Sequence, residues 1–456
     1  MTARKNMRTF YTLLLTQTLS IIGSRISSLA VGIWVFNETG NATPLTLVAF
    51  FLAVPQVLVS GVSGVLADRW DRRYVMMISD AGQALGTLLL LVSFASNSFE
   101  LWHLYLVATL QSLFSVFQGP ALMASVTMLV PDEKRERANS IQQMTGPAAN
   151  IVAPVITGLL YAFIGVTGAI TIDLVTFLIA VLVIFNVSIP RPEVTEIGHT
   201  ERGSVWFESF TGLRFLRQRK ILFQIVLYVS FINFMVGGVM VLSLPYILAR
   251  TGSEAALGAI QSVTSIGALI GAVIIGAWGG TRPRIHTIMP ALIFGGLALM
   301  VVGTSRSSVA LGASMFLFML PLPFINTLFI SLMQAKTPPD IQGRVFAVLG
   351  QFSMLLLPLA YLITGPLADR VFEPAVGSES WERFATLVGT GTGAGMGLMF
   401  VIAGFFVMLS SVLMYVRPAV RHMEADMPDY KPSARPASGP LDTPIDTPAG
   451  EVVPSA

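Results

Sequence analysis

The sequence contains no cysteine and only four histidines (His103, His199, His286 and His422), widely scattered. The first absence excludes disulfides, a thiolate nucleophile and a cysteine-ligated metal, and the scatter leaves no histidine cluster for one. Charge is also scarce. Only 12% of the 456 residues are Asp, Glu, Lys or Arg, against about 25% in an ordinary soluble domain. The net charge of +3 gives no argument for nucleic acid. No G-x-x-x-x-G-K-[ST] phosphate loop occurs, so direct ATP use is not expected. What is there is apolar: 54% of residues are hydrophobic, and the mean hydropathy is +0.72. A soluble globule has no use for so much apolar surface. A soluble enzyme and a disordered chain are both excluded, and no cofactor is expected.

A helix needs roughly 20 apolar residues to cross a bilayer. Windows of that length predict twelve spans, at about 9–36, 44–67, 74–95, 103–129, 139–165, 167–188, 221–248, 256–280, 285–304, 308–335, 344–368 and 390–416. Spans 5 and 6 nearly touch at Gly165-Val166-Thr167-Gly168, which requires a tight turn. The basic N-terminus precedes an apolar run too long for a signal peptide, so it reads as the first span. With the N-terminus inside, 23 of the 28 Lys and Arg residues fall in cytoplasmic segments. Only Arg250, Arg306, Arg370 and Arg383 lie outside, and Arg25 lies within a span. This asymmetry predicts a multi-pass protein of the inner (plasma) membrane with both termini cytoplasmic.

The longest internal loop splits the spans six and six. It predicts an N-terminal bundle at 1–188, a cytoplasmic linker at 189–220, a C-terminal bundle at 221–416 and a disordered cytoplasmic tail at 417–456. Within the linker, 205–217 is amphipathic, and Trp206, Phe207, Phe210 and Phe215 are expected to dip into the membrane surface. In the tail, proline recurs every fourth residue from Pro428 to Pro448, which suits neither helix nor sheet. The two bundles also share a weak repeat. An offset of 207 places Pro131 on Pro338, Arg137 on Arg344, and Ile156-Thr157-Gly158 on Ile363-Thr364-Gly365. Such internal symmetry is typical of two-half transporters.

The loop between spans 2 and 3 reads Gly64-Val65-Leu66-Ala67-Asp68-Arg69-Trp70-Asp71-Arg72-Arg73. Gly64 allows two helices to approach closely. Asp68 can pair with Arg69, Arg72 or Arg73, or face the positive end of a helix dipole. This segment resembles the signature loop of the major facilitator superfamily, and softer likenesses in spans 1 and 6 and before span 7 resemble its macrolide-efflux and enterobactin-exporter branch. The resemblance implies an all-α membrane protein of twelve transmembrane helices in two pseudo-symmetric six-helix bundles. It also implies that the Asp68 loop latches the halves on the cytoplasmic side, against the helix beginning near Arg344. In the second-half counterpart, Gly280 stands where Asp68 stands. The antiporter signature of span 5 is partial: Asn150 and Ala153 replace glycines, while Pro154 and Gly158 keep the pattern of a close-packed interface helix.

Charge kept inside a membrane is expensive and marks functional candidates. At 1.5 Å per residue, Arg25 lies roughly 25 Å from the inner surface and Asp173 roughly 9 Å from the outer one. The two are expected to pair. Read functionally, Asp173 breaks the pair by taking a proton; read statically, the pair fastens span 1 to span 6. Asp80 lies near the inner face, where it can snorkel or pair with Arg73. Gln17 and Ser24 share one face of span 1, and Gln111, Ser115 and Gln118 share one face of span 4. The resemblance implies a central cavity lined by spans 1, 4, 7 and 10, which Asn233 and Asn326 would complete. So few fixed charges suit a bulky, largely apolar small molecule such as a macrolide or siderophore. The expected function is secondary transport by alternating access, with protons as coupling ion by resemblance. Uptake rather than export stays open, as does a non-transporting sensor. A membrane enzyme lacks the constellation of His, Asp, Glu or Ser it would need.

Overall fold

In a membrane every backbone amide must be satisfied within its own segment, so helices dominate. The structure, a computed structural model, describes residues 7–69, 71–187, 214–338, 341–427 and 429. For 60–69, 120, 124, 126–128, 132 and 136 it describes the backbone alone. No strand occurs among the described residues. Ten helical stretches are long and apolar enough to cross a membrane. One of them bends at Gly165, whose φ of 59° and ψ of −168° are non-helical. That left-handed conformation favours glycine, and it supplies the turn expected between spans 5 and 6. The bend makes two helices of one, and the apolar helix Thr43–Arg69 completes twelve.

In chain order these are α1 (Met7–Thr39), α2 (Thr43–Arg69), α3 (Arg72–Ala95), α4 (Leu101–Leu129), α5 (135–164) and α6 (166–186). The second set is α7 (Lys220–Thr251), α8 (Glu254–Trp278), α9 (Ile285–Thr304), α10 (Ser308–Lys336), α11 (Gln342–Ala375) and α12 (Ala394–Val416). In the first half α1 packs along α5 and α6, and α4 packs on α2 and α3. In the second, α9 packs on α12 and α8 on α10. The halves meet along two seams, α5 with α8 and α2 with α11. Large side chains such as Phe163 and Val309 remain more than 80% exposed on the outside, as a lipid-facing surface allows.

Two expectations need correction. Most of the linker, with Trp206, Phe207 and Phe210, lies outside the described residues. Phe215, expected to dip into lipid, is instead buried in the protein beside Leu216, Leu222 and Ile225. The Arg219 guanidinium lies 3.9 Å over its ring. The helical turn at 214–218 leads straight into α7, so its apolar side joins the core of the second half. The tail, expected to be disordered from 417, forms two short helices at Pro418–Arg421 and Met423–Asp426. They are held because Val420 and Met423 are fully buried. In addition, a Glu424 carboxylate oxygen accepts the Ile285 amide at 3.0 Å. The proline repeat beyond 429 lies outside the described residues.

Candidate functional site

Gly23 on α1 lets α6 approach so closely that a Cβ there would stand 2.3 Å from Thr176 Oγ1. The approach brings the next residue, Ser24, onto Asp173 of α6, whose Oδ1 accepts the serine hydroxyl at 2.8 Å. Thr87 Oγ1 of α3 donates to Asp173 Oδ2 at 3.0 Å, and Gln111 Nε2 of α4 donates to Thr87 Oγ1 at 3.4 Å. Asp173 is 1% exposed. It nevertheless borders a cavity of about 230 Å³, with Ser24, Ser27, Ser28 and Gln111 on its polar side. The remaining wall is apolar, including Val31, Leu45, Leu104 and Leu244. A carboxylate held by hydroxyls alone, beside a cavity, lacks the cation that usually accompanies buried charge.

Arg25 is not that cation. No ion pair joins Arg25 to Asp173, contrary to the pairing expected from their depths. Successive residues on a helix point about 100° apart. Ser24 takes the face toward α6, so Arg25 turns to a second cavity of about 280 Å³, between the halves. Asn150 and Pro154 of α5 and Gln261 and Ser265 of α8 line it too.

Asp80 also departs from expectation. It neither snorkels nor meets Arg73, whose guanidinium donates to the Ile184 and Phe185 carbonyls. Asp80 is wholly buried. Its carboxylate accepts Gln17 Nε2 at 2.8 Å and the Gln118 amide at 2.5 Å. Gln118 Nε2 also donates to Gln17 Oε1 at 2.8 Å, and Gln83 Nε2 donates to Gln118 Oε1 at 2.9 Å. The polar side chains expected to line one central cavity are therefore divided. Gln17 and Gln118 hold Asp80, while Ser24 and Gln111 serve Asp173. Ser115 donates back to the Ser112 carbonyl at 3.0 Å. Asn233 and Asn326 share a separate cavity of about 330 Å³ within the second half, lined by Ile232, Val236, Ile325 and Phe329. Thr87 and Gln83 went unread in the sequence, although Asp80, Gln83 and Thr87 recur at spacings of three and four on α3, which puts them on one face.

The seams are close-packed where α2 and α8 begin. A Cβ on Gly258 would stand 2.3 Å from the Pro154 carbonyl oxygen, and one on Gly158 would stand 3.0 Å from the Glu254 oxygen. On the other seam, a Cβ on Gly365 would stand 2.1 Å from Thr46 Oγ1. Asn150 contributes its carbonyl, which accepts Ser265 Oγ at 3.1 Å. Ala153, where the signature has glycine, faces away from the seam and packs with Ile26, Ala30 and Ala169. Of the gating loop, the side chains of Gly64, Asp68 and Arg69 lie outside those described. Arg72 and Arg73 begin α3, capped by Asp71, which accepts the Arg73 amide. At Gly280, which stands where Asp68 stands, φ is +78°. That conformation favours glycine over aspartate, which accounts for the degraded second copy.

Residues 13–361 match the family model described as Major Facilitator Superfamily. The chain is 27% identical to macrolide efflux protein A of Streptococcus pyogenes over 374 residues, covering 79% of this chain and 90% of that one. It is 25% identical to the multidrug efflux pump Tap of Mycolicibacterium fortuitum over 371 residues, covering 76% and 86%. Among solved structures, the inward-facing, unoccupied bacterial homologue of the human lysosomal transporter Spinster superposes with a TM-score of 0.70 at 15% identity, covering 94% of this chain and 99% of that one.

Proposed function

The chain belongs to the Major Facilitator Superfamily, and on that premise we propose that it is a proton-coupled exporter of bulky, largely apolar small molecules. It works by alternating access in the cell membrane, with both termini in the cytoplasm. The relatives named for macrolide and multidrug efflux favour export over uptake. They also favour transport over an enzyme or a sensor. The basic residues, concentrated in the loops assigned to the inner side, support the orientation.

One observation carries the coupling: the Asp173 carboxylate is buried at the wall of a cavity, with hydroxyl donors and no cation. A proton neutralises the carboxylate and removes the cost of its charge in a low-dielectric setting. Its release, when the cavity faces the other side, restores an acceptor for the next proton. Ser24 and Thr87 hold the carboxylate in place through both states. Gln111 orients Thr87. The apolar wall receives the substrate by area rather than by charge.

The test is efflux of a fluorescent apolar dye and of erythromycin from an efflux-deficient host. Export requires lower accumulation in cells carrying the protein, abolished by a protonophore. Asp173→Asn is expected to end concentrative efflux while leaving downhill exchange. Undiminished, protonophore-sensitive efflux by Asp173→Asn would overturn the coupling role. Higher accumulation in cells carrying the protein would replace export by uptake.

A further inference from the structure

The six residues Gly64-Val65-Leu66-Ala67-Asp68-Arg69 at the end of α2 have a second copy elsewhere. Gly365-Pro366-Leu367-Ala368-Asp369-Arg370 repeats the pattern G-x-L-A-D-R toward the end of α11. This copy does not follow the internal repeat, which pairs α11 with α5 and places Ala162 opposite Asp369. It is also at the opposite end of the bundle, because α2 and α11 run antiparallel in their seam. Asp369 reaches across that seam. Its Oδ1 accepts the Ala42 amide at 2.8 Å, and its Oδ2 accepts the Thr43 amide at 2.7 Å and the Thr43 hydroxyl. These are unpaired donors at the start of α2, where the helix dipole is positive.

The start of α2 has no capping side chain of its own, because Ala42 is the residue whose carbonyl accepts the first helical bond, from Thr46. The corresponding start of α8 is capped locally, Ser253 Oγ accepting the Ala256 amide at 3.2 Å. Of these two starts, that of α2 borrows its cap from the other half. The local backbone fits that task. Pro366 and a wide turn at Ala368–Phe372, in which the Glu373 amide bonds the Ala368 carbonyl, swing Asp369 toward α2. The same turn begins three residues beyond Gly365, whose missing side chain lets the helices touch.

We infer that Asp369 is a gating residue: it clasps the start of α2 to α11 while this end of the cavity is closed, and it must let go for the cavity to open there. Asp68, at the far end of the same two helices, is the residue expected to clasp the start of α11 in the opposite state. One helix pair thus carries an acid toward each end, Asp369 bonded to the start of α2 and Asp68 expected to meet the start of α11. The inference rests on alternating access but not on the substrate, the direction or the coupling ion.

The absence of cysteine makes the test direct. Ser28→Cys places a thiol in the cavity, and Ser378→Cys places one on the surface at the Asp369 end. Labelling by a membrane-impermeant maleimide, in right-side-out and inverted vesicles, reads access from each face. The Ser378→Cys rate identifies the face and shows that each variant is folded. Asp369→Asn is expected to raise Ser28→Cys labelling from the Ser378 face about tenfold, the loss of one charge-assisted clasp. Asp68→Asn should lower it, and Arg370→Gln should leave it at the parental rate. Should Asp369→Asn fail to fold, Thr43→Val, which removes only the hydroxyl contact, must raise labelling by a smaller factor. Parental labelling in a folded Asp369→Asn or Thr43→Val variant overturns the inference. Because no substrate is present, the labelling reads the clasp alone: an unchanged rate refutes the clasp whatever dye efflux does, and absence of efflux from the parent refutes only the transport reading.

Discussion

The seam between α5 and α8 makes a quantitative prediction. Gly258→Ala adds a methyl that would stand 2.3 Å from the Pro154 carbonyl oxygen and 3.1 Å from the Gly158 Cα. A carbon and a carbonyl oxygen tolerate about 3.3 Å, so the helices must part locally by about 1 Å. Both colliding groups are backbone, and no side chain can turn away to relieve them. Overpacking of this kind costs about 1–3 kcal/mol. The cost falls on the conformation in which this end of the seam is closed, and vanishes when the halves part there. It therefore shifts the ratio of the two conformations by about 5- to 150-fold. Spin labels on Ser98→Cys and Ser378→Cys, exposed on the two halves at this end, report the separation. Their distance distribution should gain a longer component in Gly258→Ala. Gly276→Ala on the same helix, where nothing lies within 4 Å of the added methyl, should leave it unchanged. A parental distribution in Gly258→Ala would show that the close approach does not hold the closed state.

Other expectations follow from the buried clusters and the folded tail. Gln118→Leu removes one charge-assisted bond to Asp80 and leaves the Gln83 amide only its bond to the Ser79 carbonyl; it should lower stability in detergent by about 1.5–3 kcal/mol. Unchanged thermal unfolding would mean the cluster is not structural. Glu424→Ala takes the cap from the Ile285 amide, and about 0.5–2 kcal/mol is expected from such a loss. Limited proteolysis between 417 and 427 should speed up, with the transmembrane helices untouched. The same segment is held by an ion pair of 2.9 Å between Lys336 Nζ and Asp429. The hydrogen bond from Lys336 holds the Asp429 carboxyl below the ordinary carboxylate range. A depressed folded-state value means its stabilisation is complete above that range and is lost as the pH falls through it. Exchange protection of 417–427 should thus weaken on acidification, less in Asp429→Asn than in the parent; equal acid sensitivity in both would discard the ion pair as its cause.

Much of the fold was legible because lipid imposes a simple code. Apolar length located the helices, and Gly165-Val166-Thr167-Gly168 announced the bend. The positions of Arg25 and Asp173 along their helices were equally legible, but position along a helix says nothing about angle around it. Ser24 and Arg25 point about 100° apart, so one reaches Asp173 and the other reaches the seam. Phe215 misled for a related reason. An amphipathic turn presents the same pattern whether its apolar side meets lipid or the core. Asp369 lies in a second copy of G-x-L-A-D-R, but the copy alone does not say what its carboxylate meets. Its role depends on α2, more than 300 residues away in the chain, and only the packing of the halves reveals it.

The repeat offers a finer division of labour. Thr157 and Thr364, separated by the offset of 207, make the same bond to the carbonyl four residues back, to Ala153 at 2.8 Å and to Ala360 at 2.7 Å. The glycines that follow them, Gly158 and Gly365, both stand where one half touches the other. Symmetry is thus kept where two halves must part and close on matching surfaces. It is abandoned at the polar sites. The Asp173 and Asp80 clusters belong to the first half alone, while the second half offers the uncharged Asn233 and Asn326 in an apolar cavity. A rocking motion needs two equivalent seams, but a buried acid cluster need not be repeated in both halves. Of these buried acids Asp173 borders a cavity, whereas the second-half cavity around Asn233 and Asn326 has no acid in its lining, and this puts the coupling experiment on Asp173.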